Sequence, residues 1–214
     1  DKNGDLTPDQ VALGSGRKVW WKCDEGSDHE WMANVAERTN NNHGCPFCAN
    51  RKVSVTNSLS AIDPLLASEW HPVLNGGSTP AQVLAGSGTR YWWKCREGPD
   101  HEWKSTPYER SHQDSGCPYC SGFKLSITNS LSRAFPVISK EWHPTKNGEL
   151  VPSKVLGGTH KKVWWKCSVA DDHEWRASVA SRTSAGRRCP ACAGKQVSTT
   201  NRLDLLFPHI ASEW

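Results

Sequence analysis

The chain has 214 residues, 36% of them hydrophobic, with 12 Trp against 4 Phe and 1 Met, and a formal net charge of +4. That mixture is too polar for one large core, and no apolar run approaches the ~18 residues that a membrane span needs. Nine Cys lie in a chain whose first residues, DKNGDLTPDQ, have neither the basic start nor the apolar stretch of a secretion signal; the expectation is an intracellular, reducing compartment and metal rather than disulfides.

Three frames, residues 1–72, 73–144 and 145–214, align without a gap, and all the Trp and Cys fall on shared positions. Each frame is read as one domain. It begins with a turn-rich stretch (DKNGDLTP, VLNGGSTP, TKNGELVP) and passes into a short strand ending in WWKC. A tight loop reaches HEW, which begins a second strand, HEWMANVAERT in the first copy, ending at Arg38, Arg110 or Arg182. A polar loop of varying sequence (TNNNHG, SHQDSG, TSAGRR) precedes CPFC, CPYC or CPAC. The last segment, SVTNSLSAIDPLLASEW in the first copy, spaces Leu59, Ile62, Leu65, Leu66 and Trp70 as on one helical face. Asn57, Asn129 and Asn201 are placed to cap that helix, while Pro64, Pro136 and Pro208 either open its first turn or break it. The predicted class is small α+β, each module a short β-hairpin plus a helix. So small a unit needs a staple.

The spacing C-x5-H-x15-C-x2-C supplies one. The candidate ligands are Cys23, His29, Cys45 and Cys48, then Cys95, His101, Cys117 and Cys120, then Cys167, His173, Cys189 and Cys192. Three thiolates and an imidazole suit tetrahedral Zn2+, and a shell closed by four protein ligands is structural rather than catalytic. Three Zn2+ per chain are expected. The rival histidines of EWHP, His71 and His143, serve at most two copies and are read as structural; His43, His112, His160 and His209 have no counterparts and are read as surface residues.

Strand parity places the tryptophans. Cys95 faces the metal, so Trp93 faces with it, and Trp103 shares a face with His101. Trp92 and Lys94 face the other way, as do Trp20 with Lys22 and Trp164 with Lys166. Either this pair packs under the C-terminal helix or it forms an aromatic and cationic surface suited to nucleic acid.

The string EWHP, NG-x-x-x-P, WWKC, HEW, an arginine and CPxC resembles the Trp-rich probable zinc-ribbon repeats that are described as treble-clef zinc fingers. The likeness spans essentially the whole chain. It implies tandem zinc-stabilised treble-clef or zinc-ribbon-like modules within larger proteins, with nucleic acid as the suspected partner. It also implies a shorter first knuckle with glycine before the histidine, where this chain has Asp28, Asp100 and Asp172.

Charge rises along the chain: the three copies carry formal charges of −3, +2 and +5. Zinc loading leaves each site one unit more negative, so the loaded chain is near neutral overall. Polyanion contact is therefore expected to be strongest in the third copy, where Lys161, Lys162, Arg187 and Arg188 cluster by sequence. Lys22, Lys94 and Lys166, with Arg38, Arg110 and Arg182, repeat beside the variable loops and are the candidate phosphate contacts. The functional expectation is a non-catalytic array binding nucleic acid, double-stranded DNA first. The alternative is a protein-interaction or spacer array with purely structural zinc. No membrane, small-molecule substrate or catalytic constellation is expected.

Overall fold

In the computed structural model, residues 2–214 are described. Each repeat contains a two-stranded antiparallel hairpin: β1 (Lys18–Lys22) with β2 (Glu30–Asn34), β3 (Tyr91–Lys94) with β4 (Glu102–Ser105), and β5 (Lys162–Lys166) with β6 (Glu174–Ser178). The register puts the second Trp of each WWKC opposite the Trp of HEW, so Trp21 faces Trp31, Trp93 faces Trp103 and Trp165 faces Trp175. Residues opposite one another share a face of the sheet. The parity argument therefore holds, and Trp93 and Trp165 are 0% exposed.

The second strand is shorter than expected. VAERT and its counterparts are helices: α1 (Val35–Thr39), α4 (Pro107–His112) and α7 (Val179–Thr183). The reason is local. In α4 the Thr106 hydroxyl accepts the Glu109 N–H at 3.0 Å, and the Glu109 carboxylate accepts the Thr106 N–H at 3.0 Å. That reciprocal cap ends the strand and starts a helix.

The single helix expected over 57–70 is two short ones, α2 (Leu59–Ile62) and α3 (Pro64–Ala67). The later linkers repeat this as α5 (Leu131–Ala134) with α6 (Pro136–Ser139), and α8 (Leu203–Leu206) with α9 (Pro208–Ala211). Asp63 breaks the run at φ −140° and caps the second helix by accepting the Leu66 N–H, and Pro64 then sits at the first helical position. Proline there costs no hydrogen bond, whereas in a helix interior it would. The break also overturns the single apolar face: Leu59 and Leu66 are buried, but Ile62 and Leu65 are exposed.

Packing groups the chain into two compact units, Asp1–Arg96 with Glu102–Gly116, and Glu97–His101 with Cys117–Trp214. In the first unit, the linker docks on the hairpin that follows it. Leu59 N–H donates to Val83 O, Lys94 N–H donates to Glu69 O, and His71 N–H donates to Trp92 O, so Glu69–His71 pairs with the open edge of β3. The Trp70 ring meets Trp93 edge-on at 5.4 Å and its Nε1–H donates to Ser78 O. The second unit repeats the arrangement: Lys166 N–H to Glu141 O, His143 N–H to Trp164 O, and Trp142 edge-on to Trp165 at 5.7 Å. There the core is Leu131, Val155, Val163, Trp165, Trp175 and Val179. His71 and His143 are the structural residues expected. Each ring accepts two backbone N–H groups at Nδ1, and each Nε2 approaches a glutamate on the neighbouring strand. Among the described residues, no helix is long and apolar enough to cross a membrane.

Candidate metal centre

The hairpin and the CPxC knuckle bring the four expected ligands together in every repeat. Cys23, His29, Cys45 and Cys48 form one group, Cys95, His101, Cys117 and Cys120 a second, and Cys167, His173, Cys189 and Cys192 a third; within each, the donor atoms all lie within 4.8 Å of one another. The first cysteine follows the first strand and the histidine precedes the second. Cys23 N–H donates to His29 O at 3.0 Å, which closes the loop between them. The knuckle is closed by a residue in the left-handed region, Asn50 (φ 51°), Gly122 (φ 76°) or Gly194 (φ 67°). Glycine and asparagine adopt that conformation at the least cost.

The spacing fits zinc. Two sulfurs each 2.3 Å from a tetrahedral zinc are ~3.8 Å apart, and such a sulfur lies ~3.5 Å from a coordinating imidazole nitrogen. Here Cys23 Sγ and Cys48 Sγ are 3.7 Å apart, as are Cys167 and Cys192. The histidine presents Nδ1 to its knuckle, at 3.7 and 3.6 Å in the first site, 3.6 and 3.5 Å in the second, and 3.6 and 3.4 Å in the third. Loss of water, then hydrogen bonding and repulsion from Cys23 and Cys45, push the Cys48 thiol up to about 12; loss of water, then the same effects of Cys167 and Cys189, push Cys192 up to about 11. Thiolates brought this close repel one another, and a bound cation offsets that repulsion.

A ring of polar groups unforeseen from the sequence holds each histidine. His29 Nε2 lies 3.1 Å from Ser54 Oγ and 2.9 Å from Thr56 Oγ1; His101 meets Ser126 and Thr128, and His173 meets Ser198 and Thr200, at 2.8–3.1 Å. With Nδ1 toward the thiolates, Nε2 carries the proton and donates it to these hydroxyls. The signal was present as S-x-T-N after every knuckle. Its asparagine is not the expected helix cap, a role that Ser58 takes for α2. Asn57 instead donates to Phe47 O and Lys52 O and accepts the Ser54 N–H, tying the knuckle to the histidine's support. Asp28, Asp100 and Asp172 accept the N–H of Val55, Ile127 and Thr199. The aspartate before each histidine is thus the other end of the same tie.

Replacing Ser126 by Ala together with Thr128 by Val leaves all four ligands of the second site but deprives His101 Nε2 of its acceptors. A fall of roughly 10–100-fold in zinc affinity at that site is expected, read by chelator competition. An unchanged affinity would show that the hydroxyls do not orient the ring.

Glycine has one further use here. A Cβ at Gly26 would meet the His29 ring at 2.6 Å, and one at Gly98 would meet His101 at 2.6 Å. Ala170 occupies the third counterpart, and there Ser168 and Val169 form a bend where the other two loops make a turn.

The remaining site residues divide. Arg110 and Arg182 are turned inward, which overturns their placement as phosphate contacts. The Arg110 guanidinium carbon lies 4.8 Å from the Trp93 ring centroid and 4.9 Å from that of Trp103, and Arg182 lies 5.0 Å from Trp165 and 5.0 Å from Trp175. Their side chains are 6% and 4% exposed and are paired with Glu69 and Glu141 from the preceding linker. Arg38 has the same ring contacts, at 4.9 and 5.1 Å, but is half-buried and donates to His43 O. Lys94 is paired with Glu102 and Lys166 with Asp171, whereas Lys22 is exposed. Trp20, Trp92 and Trp164 lie on the outer face, each under a lysine: Lys2, Lys104 and Lys146 at 4.6, 5.1 and 4.9 Å.

On the third module Trp164, Arg176, Arg187, Arg188, Lys195 and Gln196 line an open groove of about 820 Å³. Lys161 and Lys162 are exposed but do not line it. The groove's carboxylate, Glu174, is paired with Lys146 and His143, which hold it down to about 2.

The model of the family described as "Probable Treble clef zinc finger domain" matches residues 1–51, 66–123 and 138–195. The second and third matches begin inside the linkers, in the stretch that docks on the following hairpin. A search of curated proteins finds no match to the chain.

Proposed function

The chain belongs to the probable treble-clef zinc finger family, as three tandem copies, and on that premise we propose that it binds nucleic acid, duplex DNA first, without catalysing a reaction. The observation that supports this is the groove on the third module. Four cations, Arg176, Arg187, Arg188 and Lys195, line it, and Arg187 and Arg188 come from the loop that differs between copies. The counterpart positions hold only two cations in each of the other modules, Arg51 with Lys52 and Lys104 with Lys124. Trp164 is half-buried beneath Lys146, so its ring is ill placed to stack on an unpaired base, and this favours phosphate contact along a duplex over single-strand stacking.

The test is fluorescence anisotropy of the zinc-loaded chain against labelled duplex DNA, single-stranded DNA and RNA across a range of salt. Replacing Arg187, Arg188 and Lys195 together by Ala is expected to lower the slope of log affinity against log salt by roughly 3, about 0.9 per lost phosphate contact. Replacing Lys161 and Lys162, outside the groove, is expected to do less. Binding that ignores salt, or that the triple change leaves alone, would remove the proposal. The alternative, a protein-interaction array, draws support from the exposed Leu65 and Val137, which occupy one shared position in the first two linkers.

A further inference from the structure

Each repeat carries one Asn-Gly pair at the same position: Asn3-Gly4, Asn75-Gly76 and Asn147-Gly148. Both residues are fixed by the fold. The glycine closes a turn in the left-handed region, at φ 60°, 61° and 59°, where a side chain would be strained. The asparagine uses its side-chain amide as a peptide group would. Asn75 Oδ1 accepts the Trp92 N–H at 2.8 Å, and its Nδ2–H donates to Trp92 O at 3.0 Å. Asn147 makes the same pair with Trp164 at 2.8 and 2.9 Å, and Asn3 with Trp20 at 2.8 and 3.0 Å. A side-chain amide offers a donor and an acceptor side by side, so it pairs with the outer edge of the strand as another strand would.

The same dipeptide is chemically reactive on its own. The glycine nitrogen, on losing its proton, attacks the asparagine Cγ; a ring imide forms and the side-chain nitrogen leaves as ammonia. Water then opens the imide at either carbonyl, giving aspartate or its β-linked isomer. The net change is amide plus water to carboxylic acid plus ammonia. Glycine favours the attack because no Cβ shields its nitrogen. Cγ must swing onto the nitrogen of the next residue, which an amide held through both its oxygen and its nitrogen is not free to do. In the third repeat the attacking nitrogen is held as well, since Gly148 N–H donates to Thr145 O at 3.3 Å.

We infer that the three Asn-Gly pairs are sites of spontaneous deamidation gated by the metal, closed in a loaded module and reactive in an emptied one. Trp20, Trp92 and Trp164 lie on β1, β3 and β5, which run directly into the ligands Cys23, Cys95 and Cys167. A hairpin that loses its zinc opens, releases the tryptophan backbone and frees the amide. The product does not return to its place. A carboxylate accepts the Trp92 N–H but has no proton for Trp92 O, so two oxygens face each other. The β-linked isomer also lengthens the main chain by one carbon within a tight turn. Trp92 O and Trp164 O accept the His71 and His143 N–H groups too, so the same change loosens the docked linker. Loss of metal thereby leaves a covalent mark that reloading does not erase.

The test is incubation of the zinc-loaded, the chelated and the urea-unfolded chain in mildly alkaline buffer, followed by peptide mass spectrometry. The amide-to-acid mass gain at Asn3, Asn75 and Asn147 is expected to build up roughly ten-fold more slowly in the loaded chain, as breaking two hydrogen bonds together implies. The chelated chain is expected to match the urea-unfolded one. In parallel, the loaded Asn75→Asp variant is expected to speed hydrogen exchange at the His71 and Lys94 N–H groups more than at His143 and Lys166, their counterparts in the third repeat. Equal rates in the loaded and chelated chains, whether both fast or both slow, overturn the gating. An Asn75→Asp chain whose His71 and Lys94 exchange as before overturns the lasting mark.

Discussion

Chelating zinc from the loaded chain is expected to unfold the modules, to be read as loss of hairpin circular dichroism and a red shift of the buried tryptophans. The size of the effect follows from how little else each module has. Its apolar core is a few Trp, Val and Leu side chains around one hairpin, and a core of that size supplies no more than ~3–5 kcal/mol. Structural zinc contributes roughly 10–16 kcal/mol at neutral pH, so the metal term exceeds the rest. The cysteines are themselves part of the core: Cys189 packs with Trp165, Trp175 and Val179, and Cys45 with Trp31 and Phe47. Cys117→Ser is expected to lower the zinc content from three per chain to two and to expose Trp93 and Trp103. A chain that keeps its tryptophans buried in excess chelator would refute the stapled reading.

Arg182→Ala is expected to cost roughly 3–5 kcal/mol, as much as truncating one of the buried tryptophans. A guanidinium between two indole faces is worth about 2 kcal/mol when desolvated, and its charge-assisted bond to Glu141 about 1.5–3 kcal/mol more. Removing it also leaves a gap between Trp165 and Trp175. Its Nε and Nη1 find no hydrogen-bond acceptor among the described residues, which suits a cation held by ring faces. Lysine keeps the charge without the planar stack, so Arg182→Lys should recover about half. Arg38→Ala, half-buried and with no glutamate beside it among the described residues, should cost only about 1–2 kcal/mol. Hydrogen exchange resolved by module, combined with urea titration, measures both; equal costs for the two arginines would refute the argument.

The ligands were legible because coordination is a matter of residue type and spacing, and both recur in full three times. The alternation in WWKC likewise placed Trp93 and Trp165 inward without error. What the sequence concealed depended on partners far along the chain. Arg110 and Arg182 read as surface cations until Glu69 and Glu141, 41 residues earlier, are seen beside them. Asn57 read as a helix cap because its acceptors, ten and five residues back, belong to a knuckle whose path is not written in any periodicity. The strand-to-helix switch at Pro107 turned on one reciprocal cap between Thr106 and Glu109, too short a feature for any hydrophobic pattern to register.

The linker of residues 54–71 belongs to two modules at once. Its first four residues hold the histidine and knuckle of the site behind, and its last three lie along the edge strand of the hairpin ahead. The second linker repeats this from Ser126 to His143. Losing a metal therefore loosens not only its own fold but also the roof over the next tryptophans toward the C-terminus, and by the same contacts loss of the hairpin ahead loosens the linker that supports the histidine behind. Such an array responds to metal starvation by nearest neighbours, each module feeling the fate of the one on either side. Inactivating the second site should thus loosen both of its neighbours, whereas inactivating the first or the third should reach only the second.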